Sequence, residues 1–158
     1  MRERLGSPAA RAVLQGNQDY PELAGRVEFY HAYRGTVVAA EVTGLQKHGE
    51  ADSGFHGFHI HAGGRCTGMQ AEPFADAGGH YDPDDTVHPE HAGDLPPLLA
   101  GDGKAWMMVY TDRFYPEDVI GKTVVIHEMP DDFRTQPSGN SKAMIACGEI
   151  KIWDRKDD

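Results

Sequence analysis

Hydrophobic and polar positions alternate along much of this chain with the period of two that belongs to half-buried β-strands. Gly25-Arg26-Val27-Glu28-Phe29-Tyr30-His31 follows that pattern, and Thr36-Val37-Val38-Ala39-Ala40-Glu41-Val42, set off by Gly35, is β-branched and apolar enough to pair with it as an antiparallel hairpin. Arg11 to Gln15 predicts a short first strand, preceded by a lead-in over residues 1–10 that is expected to be flexible. After a polar, Gly-containing loop from Gln46 to Ser53 comes a strand carrying Phe58, His59, Ile60 and His61. Further on, the Pro pair in Leu95-Pro96-Pro97-Leu98-Leu99 allows an edge strand at most. Gly101-Asp102-Gly103 signals a tight turn into a strand over Lys104–Thr111, whose Trp106 is expected in the core. A connection through Pro116-Glu117-Asp118 leads to a strand at Lys122–His127. A long loop over Asp131–Lys142 then precedes a last strand over Met144–Trp153. There is no convincing amphipathic helix and no internal repeat, so the pattern predicts an all-β antiparallel sandwich or barrel.

Length and charge narrow what such a barrel can be. The 158 residues fit a single domain spanning 1–158, long enough to bury about two-thirds of its unfolded surface around one core. A formal charge of -10 and the absence of any basic run argue against nucleic acid or an anionic membrane as a partner. No apolar run approaches the ~20 residues that span a bilayer. Met1-Arg2-Glu3-Arg4-Leu5-Gly6-Ser7-Pro8 lacks the apolar core of a secretory signal, which points to a cytoplasmic location for the chain as written. The alternative is an exported protein whose signal lies outside this numbering. There are two cysteines, Cys66 and Cys147. Cysteine count alone leaves open whether they pair or stay buried and reduced.

Candidate chemistry concentrates between Gly57 and Asp94. His59 and His61 stand two apart in a strand, so their imidazoles project from one face and make half a transition-metal site. His80, His88, His91 and Asp94 add four ligand-type side chains in a Gly/Pro/Asp-rich loop with little regular structure of its own. His31, His48 and His56 have no such company and are expected to be surface or satisfied core residues. His56 also has the opposite strand parity to His59 and His61.

Gly57-Phe58-His59-Ile60-His61, Gly78-Gly79-His80-Tyr81-Asp82-Pro83, His91-Ala92-Gly93-Asp94-Leu95, Val125-Ile126-His127-Glu128 and Ala146-Cys147-Gly148 occur in one order. In that order the chain resembles a bacterial-type copper/zinc superoxide dismutase from about Val13 to Ile152. The resemblance implies an eight-stranded Greek-key antiparallel β-barrel with two long loops over a dinuclear site. It implies copper held by His59, His61, His80 and His127, and zinc held by His80, His88, His91 and Asp94, with His80 bridging the two as an imidazolate. The donor types suit those metals, since imidazoles favour copper and three imidazoles with one carboxylate make a closed zinc shell. In the same way Asp131 would link a copper ligand to a zinc ligand, and Cys66 and Cys147 would form the intrasubunit disulfide. The implied activity is an antioxidant one: one superoxide is oxidised to dioxygen and a second is reduced to hydrogen peroxide at copper, with His80 supplying a proton. A homodimer is a possible assembly.

One position departs from the family pattern. Three residues before the second cysteine, where the family has an arginine that guides and holds superoxide, this chain has Met144. A thioether offers neither a two-pronged N–H contact nor a positive field. Lys142 and Arg134, in the preceding loop, are candidates to restore part of the attraction. A lowered, salt-sensitive rate is expected. The alternative function is a non-catalytic copper/zinc-binding or copper-storage protein with the same fold. A zinc hydrolase is disfavoured, because no open three-ligand zinc site with a neighbouring general base is evident.

Overall fold

The structure is a computed structural model that describes residues 4–157. Its strands are β1 (Ala10–Gly16), β2 (Ala24–Ala32), β3 (Gly35–Thr43), β4 (Phe55–His56), β5 (Phe58–His61), β6 (Leu98–Leu99), β7 (Ala105–Thr111), β8 (Thr123–His127) and β9 (Met144–Ile152). Seven of them form one curled antiparallel sheet in the order β5-β8-β9-β1-β2-β3-β7, while β4 and β6 pair separately. The resemblance implies eight strands, and the chain reaches that number if β4 and β5, interrupted only at Gly57, are taken as one bent strand. Gly57 keeps both neighbours in place: its N–H donates to the Met129 carbonyl at 2.9 Å and its carbonyl accepts the His127 N–H at 2.8 Å. β6 pairs with β4 and leads into β7 through a turn bridged between Gly101 and Lys104, so that the curled sheet forms a half-barrel.

Alternation decides what fills the interior. Ala10, Ala12 and Leu14 of β1, Val27 and Phe29 of β2, Val38, Ala40 and Val42 of β3, Phe58 and Ile60 of β5, and Val124 and Ile126 of β8 are all buried in one cluster. The Trp106 expectation is corrected: the side chain is 64% exposed. Ala105, Met107 and Val109 take the inward positions of β7, so period two sends Trp106 out whatever its hydrophobicity. The proline pair behaves as expected, leaving β6 two residues long, and Pro116–Val119 forms a single turn of helix, α1. Of the lead-in, residues 1–3 lie outside the described region. Leu5 packs against Tyr30, Val37 and Ala39 on the outer face, and Ala10 is already in the ladder with Phe29.

Cys66 and Cys147 form a disulfide, with an S–S length of 2.04 Å. It joins the long loop after β5 to β9 across 81 residues, a span for which loop-closure entropy alone gives about 4–5 kcal/mol of stabilisation. No described helix is long and apolar enough to cross a membrane.

Candidate metal centre

The centre is built on the outer face of β5 and β8. Phe58 and Ile60 point into the barrel, so His59 and His61 point the other way, toward the loops. His127 closes β8 on that same side. The loop between β5 and β6 is strapped along the free edge of β5: the Ile60 N–H donates to the Gly93 carbonyl at 2.9 Å, the Tyr81 N–H to the Ile60 carbonyl at 2.8 Å, and the Ala62 N–H to the Gly79 carbonyl at 2.8 Å. That strapping pairs His80 with His61 and Asp94 with His59 in the backbone register.

Two donor clusters result. One gathers His59, His61, His80 and His127, the other His80, His88, His91 and Asp94, and within each the donor atoms lie no more than 4.8 Å apart. His80 belongs to both. In the first, His61 Nε2 and His127 Nε2 approach to 3.2 Å. In the second, His80 Nδ1 lies 2.7 Å from Asp94 Oδ1, while His88 Nδ1 and His91 Nδ1 lie 3.0 and 3.2 Å from Asp94 Oδ2.

Hydrogen bonds on the far side of each ring decide which nitrogen faces inward. His59 Nε2–H donates to Asp131 Oδ2 and His88 Nε2–H to Asp131 Oδ1, both at 2.8 Å. His61 Nδ1–H donates to the Gly78 carbonyl at 2.7 Å, and His127 Nδ1–H to the Lys142 carbonyl at 3.3 Å. The opposite nitrogens are thereby left as lone-pair acceptors. His59 Nδ1, His80 Nε2 and His88 Nδ1 are buried and make no hydrogen bond among the described residues, His88 Nδ1 having only the close, misaligned approach of Asp94 Oδ2 at 3.0 Å. Buried polar atoms ordinarily find partners, and orphaned imidazole nitrogens converging in two groups fit bound cations. A third grouping, His59, His88 and Asp131, is the hydrogen-bonded strut between the two clusters.

Electrostatics suit the same purpose. Burial pulls the imidazole of His59 down to about 4 and those of His61 and His127 to about 3, so all three are neutral ligands at neutral pH. Burial pushes the carboxyls of Asp94 and Asp131 up. For Asp94 the hydrogen bond from His80 and the attraction of His80, His88 and His91 together outweigh this, and for Asp131 the hydrogen bonds from His59, His88 and the Phe133 N–H together with the attraction of His59 do, so both sit below the usual carboxylate range. The histidine shifts carry a prediction. Below pH 6.5, the ordinary histidine value, the unfolded chain takes up protons that the folded chain refuses. Stability of the metal-free protein is therefore full above that pH and falls as the pH drops toward 4 and then 3. Urea titrations between about pH 7 and about pH 5 should show the midpoint falling, and a flat midpoint would contradict it.

The model of the family described as "Copper/zinc superoxide dismutase (SODC)" matches residues 23–150. The chain belongs to that family. It is 37% identical to the superoxide dismutase [Cu-Zn] of Deinococcus radiodurans over 91% of this chain and 85% of that one. To the superoxide dismutase [Cu-Zn] of Legionella pneumophila it is 33% identical, over 83% of this chain and 80% of that one. The Cu/Zn superoxide dismutase structure from Brucella abortus superposes with a TM-score of 0.76 at 29% identity, covering 90% of this chain and 99% of that chain. As a copper/zinc superoxide dismutase the chain falls among oxidoreductases, and its histidine clusters can hold the family's two metals.

Around this centre lie residues to which the sequence pattern assigns no role in the site. Gln136 clamps the His88 backbone from both sides, its Oε1 accepting the N–H at 2.9 Å and its Nε2 donating to the carbonyl at 2.7 Å. Arg113 Nη1 donates to the carbonyls of Pro89 and His91 at 2.8 and 2.9 Å. Gly139, at φ +76°, lies against Asp131 so closely that an added Cβ would collide with its carboxylate and come within 2.7 Å of His88 Nε2. Gly139→Ala is therefore expected to destabilise the fold by more than about 1 kcal/mol and to weaken zinc retention, checked by urea denaturation and chelator competition. His56 is buried, its Nδ1–H donating to the His127 carbonyl at 3.0 Å. His48 stacks on Tyr20 with centroids 4.0 Å apart, and His31 Nε2 lies 2.5 Å from Glu117 Oε1 at the surface. All three stand outside the clusters.

A cavity of about 790 Å³ opens onto the first cluster, lined by His61, His80, His127, Lys142 and Met144 among others. Lys142 is thus part of its lining. Arg134 does not line it, and its backbone N–H donates to Asp132 Oδ1 at 2.8 Å.

Proposed function

We propose that the chain disproportionates superoxide with His59, His61, His80 and His127 as the copper ligands and His80, His88, His91 and Asp94 as the zinc ligands. The observation that carries this reading is the set of buried, unpartnered ring nitrogens on His59, His80 and His88, each turned to its cluster by a partner on the opposite side of the ring or by the shared carboxylate. Copper held by those four imidazoles would supply one-electron redox chemistry, by which one superoxide is oxidised to dioxygen and a second, with two protons, is reduced to hydrogen peroxide. His80, shared by both clusters, would offer a nitrogen to each metal, and its buried Nε2 is the atom where a proton can be held and handed to the reduced product. Asp131 fixes two ligand tautomers at once. Lys142, on the cavity lining, supplies part of the attraction for the anion that a guanidinium at position 144 would otherwise give. The disulfide supports the exported of the two compartments that the sequence leaves open.

Met144 favours a second reading, a copper/zinc-binding or storage protein with little turnover. Superoxide consumption per bound copper separates the two. The proposed enzyme should lose all activity in the metal-free control and regain it in proportion to copper added. A fully loaded protein that consumes no superoxide above free buffer would leave the storage reading.

A further inference from the structure

β8 and β9 pair Val125 with Cys147 and Ile126 with Ala146, but next His127 with Met144. Ile145 is the extra residue of a bulge, its side chain buried in the barrel and its carbonyl accepting the Asn17 N–H at 2.8 Å. A single inserted residue reverses strand parity beyond it, and such bulges re-aim side chains beside functional sites. Without it Ile145 would stand opposite His127. With it Met144 does, and directly opposed side chains share a face with Cβ atoms about 4.5–5.5 Å apart.

Met144 accordingly lines the same cavity as His61, His80 and His127. One flank of its side chain packs against the cluster of Phe74, Val125 and Cys147, joined there by Cys66, so it is held on the cavity wall. The charge of the lining points the same way. Among the described lining residues, Asp19, Glu72 and Asp82 carry carboxylates and Lys142 alone carries an ammonium, a balance that favours a cation. A thioether is a soft, polarisable donor that selects cuprous over cupric ion, whereas imidazoles accept either.

We propose that Met144 is a copper ligand specific to the cuprous state, its sulfur joining the nitrogens of His61 and His127 to give the copper position a soft face toward the cavity. This rests on the assignment of the four histidines to copper. The bulge at Ile145 aims position 144 at the cavity, and a thioether there in place of a guanidinium turns a substrate-guiding position into one that tunes metal oxidation state.

The test compares the zinc-loaded chain with Met144→Leu, a volume-conserving change that removes only the sulfur. Cuprous affinity, measured anaerobically by competition with bicinchoninate, should fall about tenfold or more in Met144→Leu. Cupric affinity and the nitrogen-ligated cupric EPR spectrum should stay unchanged. X-ray absorption of the cuprous wild-type protein should show a sulfur neighbour of copper, a measurement that needs no variant. Absence of that sulfur shell, or equal cuprous affinity of the two proteins, would overturn the proposal while a normal cupric spectrum left the four-histidine site standing. A wild-type cupric spectrum without nitrogen ligation would remove the site assignment itself, and this inference with it.

Discussion

Replacing Met144 by arginine is expected to raise superoxide consumption per bound copper by about tenfold at low ionic strength, the lower end of what electrostatic steering supplies. The substrate is a small anion and the chain carries a formal charge of -10, so encounter depends on what the cavity offers locally. Its lining offers Lys142 against Asp19, Glu72 and Asp82. The bulge places position 144 directly across from His127, and a guanidinium there would put a fixed, planar, doubly donating cation beside the copper ligands. Met144→Lys should recover less, because an ammonium on a flexible stem cannot present two parallel N–H groups. Added salt should erase most of the gain, since screening at about 0.15 M acts over about 8 Å. Pulse radiolysis or stopped-flow at several ionic strengths reads all of these. A Met144→Arg protein no faster than wild type at low salt, with equal copper content, would show that charge at this position does not limit the rate.

The same residue marks the boundary of what the chain's pattern reveals. Period two in Phe58-His59-Ile60-His61 is enough to send the imidazoles outward and the apolar side chains inward, and the structure has them so. The run Met144 to Trp153 reads as one unbroken strand, and nothing in its composition marks Ile145 as the residue that loses its partner. A bulge is a register event between two strands, and register depends on both. Trp106 shows the opposite failing: its alternation with Ala105, Met107 and Val109 is visible, but judging by residue type puts it in the core when the sheet puts it in solvent. Gln136, Arg113 and Gly139 were legible only as loop chemistry. Their roles come from contacts between segments far apart in the chain, such as the 48 residues separating Gln136 from His88. The donor residues could be named because short motifs fall in a family order. The hydrogen bonds that choose Nδ1 or Nε2 in each ring required coordinates.

Asp131→Leu should weaken binding of both metals by about 10–100-fold, the usual cost of losing a partner that orients a ligand. The carboxylate is buried and its two oxygens are each 2.8 Å from a different ring, His59 on one side and His88 on the other. Removing it leaves two buried N–H groups without acceptors, at about 1–3 kcal/mol each in the metal-free fold. It also frees both rings to flip or change tautomer, so a hydrogen can occupy the nitrogen that should face a metal. A solvated loop carboxylate would behave differently, with changes within about 0.5 kcal/mol and no effect on metals. Asp131→Asn separates the contributions: its amide oxygen can still accept one imidazole N–H, but its NH2 faces the other, so one metal should be lost more readily than its neighbour. Competition with graded zinc and copper chelators, run on both variants, reads the two sites independently. Coupled loss in Asp131→Leu and unequal loss in Asp131→Asn is the expected signature of one side chain bracing two sites, and unchanged retention of both metals would show the strut to be dispensable.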